Sequence, residues 1–221
     1  MKIAVVFDMD GVIVDNGRFH YLAWEEFCKK YRILFSDNIF RKTIFGRTNA
    51  EAIPFLFQRD LEKNEIQKLG AEKEEIYRRI YAPALKPVNG LPAFLEELKK
   101  HNIPTAVATS ASPENVMFVL DGLRIKHYFN CIVDDSMVKN GKPNPEIYLK
   151  AAELLTTRPA DCVVFEDSLS GTKAAFDAGA KVIALTTSLK AGEHRYAQHI
   201  FPDFSEISVN FIIENFSTSR L

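Results

Sequence analysis

Long apolar runs are missing from this sequence. No stretch approaches the roughly 18–20 apolar residues that a bilayer crossing requires, because charged residues interrupt every candidate. The apolar run at 3–7 stops at Asp8, far short of the apolar segment of an export signal, so a cytoplasmic protein is expected. Cysteine is scarce. Cys28, Cys131 and Cys162 are far apart, odd in number and form no C-x-x-C, which excludes a disulfide framework or structural zinc site and fits a reducing compartment. Neither sign of charge is in excess: the formal net charge is −1, so no basic field holds the chain on nucleic acid and no acidic surplus marks it as disordered. Also absent are G-x-G-x-x-G after the first apolar run, the GK[ST] of a nucleotide P-loop, and interleaved lysines and aromatics that would read nucleic acid. No membrane or nucleic-acid partner is therefore expected, and a monomeric state is expected.

What is present is ordinary globular composition: 221 residues, 47% hydrophobic and 26% charged, enough for one large core or two smaller ones. Short apolar runs end in polar residues at 3–7, 105–108, 131–133, 162–165 and 181–185. Runs that are apolar at successive positions suit strands buried on both faces of a parallel sheet. Helical segments are predicted between them, at 91–100, at 114–123 after Ser112-Pro113, at 146–155 after Asn144-Pro145, and at 172–178 before Gly179. This alternation predicts an α/β, Rossmann-like doubly wound domain. From Arg18 to Ala84 no strand is predicted, while apolar residues recur at helical spacing. A helical insert at 16–86 is therefore expected as a second domain, with 1–15 and 87–221 forming the core.

Open α/β sheets bind ligands beyond the carboxyl ends of their strands. Standing there are Asp8 and Asp10, Thr109 and Ser110, and Glu166 and Asp167, with Lys142 on the loop before the Pro145 helix. Asp8 and Asp10, two apart, project to one side and repel unless a cation lies between them. A hard divalent ion, Mg²⁺ by ligand type, would settle the conflict, with Asp8, Asp10, Glu166 and Asp167 supplying oxygens. A capping role would need one acid rather than four. Mg²⁺ usually shares its shell with phosphate, and Thr109, Ser110 and Lys142 are suited to an anion. Taken singly, Thr109-Ser110 is an ordinary helix cap and Lys142 an ordinary solvated lysine.

The strings Phe7-Asp8-Met9-Asp10-Gly11-Val12-Ile13-Val14-Asp15, Thr109-Ser110, Gly141-Lys142-Pro143-Asn144-Pro145-Glu146-Ile147-Tyr148 and Phe165-Glu166-Asp167-Ser168 resemble, in order, the four motifs of the haloacid dehalogenase superfamily. The helical insert resembles the cap of the branch that holds β-phosphoglucomutase and many sugar-phosphate phosphatases. The resemblance implies a nucleophilic Asp8 that forms an aspartyl-phosphate, and an Asp10 that protonates the leaving alcohol and then activates water. It also implies Mg²⁺ held by Asp8, the Asp10 carbonyl and Asp167 with Glu166 nearby, and Thr109, Ser110 and Lys142 on the phosphoryl oxygens. Dehalogenases lack the second acid, so Asp10 argues against that chemistry.

Substrate choice is expected in the cap, where His20, Trp24 and the segment Phe45-Gly46-Arg47-Thr48-Asn49 are the candidates. His20 and Trp24 share a helix face, and Arg47 can grip a phosphate with its planar fork. The alternatives are core packing for Trp24, a structural hydrogen bond for His20 and solvation for Arg47. A mutase would be expected to carry threonine after Asp15, where this chain has Asn16, and Ser168-Leu169-Ser170 follows the phosphatase pattern. The expected activity is thus Mg²⁺-dependent hydrolysis of a small phosphate ester, a sugar phosphate first, with a β-phosphoglucomutase-type mutase and then an inorganic pyrophosphatase as alternatives.

Overall fold

The computed structural model describes residues 3–44 and 47–216. Six parallel strands form one sheet in the order β3-β2-β1-β4-β5-β6: β1 (Ala4–Phe7), β2 (Thr105–Ala108), β3 (Cys131–Val133), β4 (Cys162–Glu166), β5 (Lys181–Leu185) and β6 (His199–Phe201). The five expected strands are present, and β6 adds a sixth at the edge. Helices α1 (Gly17–Lys30), α2 (Asp37–Ile39), α3 (Asn49–Phe57) and α4 (Lys63–Tyr81) form the helical cap after β1. The sheet connections carry α5 (Leu91–Lys100), α6 (Pro113–Gly122), α7 (Glu146–Leu154) and α8 (Leu169–Asp177), and α9 (Val209–Phe216) follows β6. No described helix is long and apolar enough to cross a membrane.

Strand parity decides what each sheet face buries. Phe7 and its register partner Phe165 stack at 5.3 Å, and Phe94 of α5 and Phe204 complete that aromatic face. Ala4 and Val6 point the other way with Ala106, Ala108, Cys162 and Val164, where the small alanines let α7 and α8 pack closely. Continuing the count, Asp8 and Glu166 fall on the α7–α8 side as their strands run out. Side-chain alternation therefore aims both acids where the loop before α7 arrives.

By contacts the chain divides into two compact units, Met1–Asp15 with Leu85–Leu221, and Asn16–Ala84. In the first, the N–H of Val88 donates to the Ile13 carbonyl at 2.9 Å, joining the chain segments that lead to and from the insert. The second is a helical assembly around Trp24, Phe27, Ile53, Tyr77 and Tyr81, all buried. A capping box opens α3: Thr48 accepts from the Glu51 N–H and Glu51 accepts from the Thr48 N–H. The insert also buries a lysine. Lys73 is 2% exposed, paired with Glu74 at 2.7 Å, and its Nζ donates to His20 Nδ1 at 3.0 Å.

Candidate active site

The acids at the ends of β1 and β4 meet around one lysine. Lys142 Nζ donates to Asp8 Oδ1 at 2.5 Å, Glu166 Oε1 at 2.7 Å and the Ala108 carbonyl at 3.2 Å. It thereby ties together the ends of β1, β2 and β4. Asp8, Glu166 and Asp167 each present a carboxylate oxygen, all within 4.8 Å of one another and all buried. The Asp10 carboxylate is outside that group but close enough to act electrostatically on Asp8.

Glu166 is saturated. Tyr148 Oη also donates to Oε1 at 2.8 Å, and Oε2 accepts from the N–H groups of Asp167 and Ser168 and from Ser168 Oγ. Five donors match or exceed what a carboxylate's lone pairs accept, so Glu166 is the member of the trio whose capacity is already used in holding Lys142. Burial would raise its pKa, but Lys142 outweighs that and holds it below the ordinary value. Gly171, in the first turn of α8, is required by this packing: a Cβ there would stand 1.6 Å from Glu166 Oε1.

Asp8 and Asp167 are less well compensated. Burial pushes the Asp8 carboxyl up; Lys142 opposes this, and Glu166 and Asp10 reinforce it. Burial, then Glu166 and Asp8, push Asp167 well above its ordinary range. Burial alone would lower Lys142, but Asp8 and then Glu166 hold it well above. With all three carboxylates ionised, one ammonium would leave two negative charges uncompensated in a buried space. A divalent cation bound by hard oxygens is what such a set accommodates, so these residues can hold a metal ion.

Thr109 and Ser110 follow β2. The Thr109 N–H bonds the Val133 carbonyl at 3.0 Å, and Thr109 Oγ1 accepts from the Ala111 N–H at 3.1 Å, leaving the hydroxyl proton to donate. Ser110 is exposed ahead of Ser112, the N-cap of α6. The core candidates are thus grouped at the carboxyl ends of neighbouring strands.

A haloacid dehalogenase-like hydrolase model matches residues 5–185. The chain is a haloacid dehalogenase-like hydrolase. It is 34% identical over 191 residues to a phosphorylated-carbohydrate phosphatase of Thermotoga maritima, covering 86% of this chain and 88% of that protein. To a β-phosphoglucomutase of Bacillus subtilis it is 34% identical over 185 residues, 80% of each. The crystal structure of a family IA, variant 3, hydrolase from Entamoeba histolytica superposes with a TM-score of 0.90 at 30% identity, covering 97% of this chain and 98% of that one. The hydrolase falls in the β-phosphoglucomutase-like and sugar-phosphatase branch of family IA.

The insert candidates of this hydrolase are placed within their own unit. Trp24 is buried, edge-on to Phe27 at 5.5 Å and under Lys73 Nζ at 5.2 Å. His20 stacks flat on Tyr77 at 4.0 Å. Its two ring nitrogens face Lys73 Nζ at 3.0 Å and the Asn16 amide nitrogen at 3.4 Å, and burial, then the Lys73 charge, lowers its pKa to about 3. Arg47 is exposed, with Cζ 4.6 Å from the Phe55 ring centroid; Thr48 and Asn49 begin α3, and Phe45 and Gly46 lie outside the described residues. Reasoning on the sequence missed Tyr148, Lys73, Glu74, Thr187 and Ser188 as contributors. Tyr148 sits inside the third motif string; the others carry no local signal.

Proposed function

We propose that this hydrolase is a Mg²⁺-dependent phosphatase that cleaves a small phosphorylated sugar through a covalent intermediate on Asp8. The observation that carries the reading is the Lys142 bridge, which fixes Asp8 at one end of a buried acid cluster. A carboxylate held this way is oriented for in-line attack. Asp8 Oδ forms a bond to phosphorus as the ester P–O bond breaks, and Asp10 gives a proton to the departing alkoxide. Asp10 then takes a proton from water as that water attacks phosphorus, and Asp8 leaves. The Thr109 hydroxyl, the Ser110 N–H and Lys142 neutralise the transferring oxygens. Asp8, the Asp10 carbonyl and Asp167 would hold the Mg²⁺, which when bound supplies charge neutralisation to the phosphoryl group. Glu166 keeps Lys142 in place beside them. We assign Arg47, one of several exposed cations of the insert, as the candidate for selecting the rest of the substrate.

Similarity to the Bacillus subtilis enzyme keeps a phosphoglucomutase as the second reading. Asn16 favours the phosphatase: its amide donates to Tyr77 Oη at 2.6 Å, inside the insert, where a mutase would be expected to carry a threonine hydroxyl. Purified protein with Mg²⁺ should release inorganic phosphate from p-nitrophenyl phosphate and from a panel of sugar phosphates. Asp8→Asn should abolish release without unfolding the protein, and turnover that persists in that variant overturns the mechanism. Conversion of β-glucose 1-phosphate to glucose 6-phosphate without net phosphate release would establish the second reading instead.

A further inference from the structure

The chain after β5 touches both halves of the acid cluster with two consecutive hydroxyls. Thr187 Oγ1 donates to the Gly11 carbonyl at 2.5 Å, in the turn that follows Asp8 and Asp10. Ser188 Oγ donates a hydrogen bond to Asp167 Oδ2. Asp167 is pressed against that same turn, since a Cβ on Gly11, which has φ +83°, would lie 1.9 Å from Oδ2. Oδ2 is therefore enclosed between the Gly11 backbone and the Ser188 hydroxyl. Oδ1 makes no hydrogen bond with the described residues.

We propose that Ser188 is a positioning residue that, with Thr187 bracing the Gly11 turn, holds Asp167 Oδ2 and so directs Oδ1 to the cation. This rests on the reading of the acid cluster as a Mg²⁺ site. The physical reason is orientation. A carboxylate buried beside two others gains from a neutral donor that fixes its plane without adding charge. Serine suits the position because its hydroxyl donates to Oδ2 and cannot compete with the cation for Oδ1 by charge. Thr187 and Ser188 also link the first and fourth motifs from the end of β5, in addition to the Lys142 bridge between them.

Mg²⁺ binding is measured by isothermal titration calorimetry, without substrate, on the full chain as wild type, Ser188→Ala, Ser188→Thr and Asp167→Asn. The expected result is loss of binding in Asp167→Asn, about tenfold weaker binding in Ser188→Ala, and affinity restored in Ser188→Thr, with both serine variants cooperatively folded without metal at the titration temperature. In the assay, Ser188→Ala should raise the Mg²⁺ concentration for half-maximal rate while the rate at saturating Mg²⁺ stays near wild type. Wild-type affinity in Ser188→Ala alongside lost binding in Asp167→Asn overturns the role of Ser188 and leaves the metal site standing. A wild-type protein that binds no Mg²⁺ overturns the metal site, and the role of Ser188 with it.

Discussion

Replacing Glu74 by glutamine should unfold the insert early, and the size of the effect follows from its burial. Glu74 is 13% exposed and sits 2.7 Å from Lys73 Nζ, whose own side chain is 3% exposed. Burial alone would raise the Glu74 pKa, but Lys73, then His20, hold it at about 2 instead of 4.5. At roughly 1.4 kcal/mol per pKa unit, this is worth about 3 kcal/mol at pH 7. That agrees with the ~3–5 kcal/mol lost when one partner of a buried ion pair is removed and the other stays charged. The sign is fixed by linkage. A depressed carboxyl pKa contributes stability above the unfolded value of 4.5 that is lost as pH falls toward 2. The gap between wild type and Glu74→Gln should thus shrink to roughly 1–1.5 kcal/mol at pH 3. Trp24, the one tryptophan in the sequence, lies under Lys73 in the insert, so urea unfolding followed by its fluorescence reports this unit. A loss below about 1 kcal/mol at pH 7, or a gap unchanged between pH 5 and pH 3, refutes the reasoning. Lys73→Met combined with Glu74→Gln should recover most of the loss, because no unpaired charge then remains buried.

Three further outcomes follow from the core. Gly171→Ala places a methyl group on Glu166 Oε1, which should cost about 1–3 kcal/mol in urea unfolding and lower turnover by displacing Lys142; an active, fully stable variant contradicts the packing. Tyr148→Phe removes one donor from Glu166 and should lower stability by about 1.5–3 kcal/mol, with activity retained because Lys142 and the backbone donors stay. Chelation with EDTA should reduce phosphate release to background and added Mg²⁺ should restore it; activity that survives chelation removes the cation from the mechanism.

The sheet was legible because β1, β2, β4 and β5 are buried on both faces and so read as unbroken apolar runs. Edge strand β6 is three residues of mixed burial, His199 to Phe201, and has no such signature. Helix α8 begins at Leu169 rather than Thr172, because Ser168 caps it through the Gly171 N–H, a bond without a capping-box glutamate to announce it. Asp8, Glu166 and Asp167 were readable because they stand where apolar runs stop, and Lys142 because it lies on the loop that opens the Pro145 helix. Lys73 and Glu74 were not. Adjacent residues on a helix do not face one another, so their pairing depends on burial by α1 and α3, which no local pattern records. Ser188 was equally silent, since a hydroxyl just past a strand is ordinary until the acid it touches is known.

The bond from Val88 to Ile13 makes the insert a detour that closes where it opens. Because the core pins the two ends of that detour together, the entropy of closing the excursion grows only with the logarithm of its length, by about 0.6 kcal/mol for each doubling. A core built this way can exchange one insert for another of different size at little thermodynamic cost, so selectivity could diversify there while the strand-end acids stayed fixed.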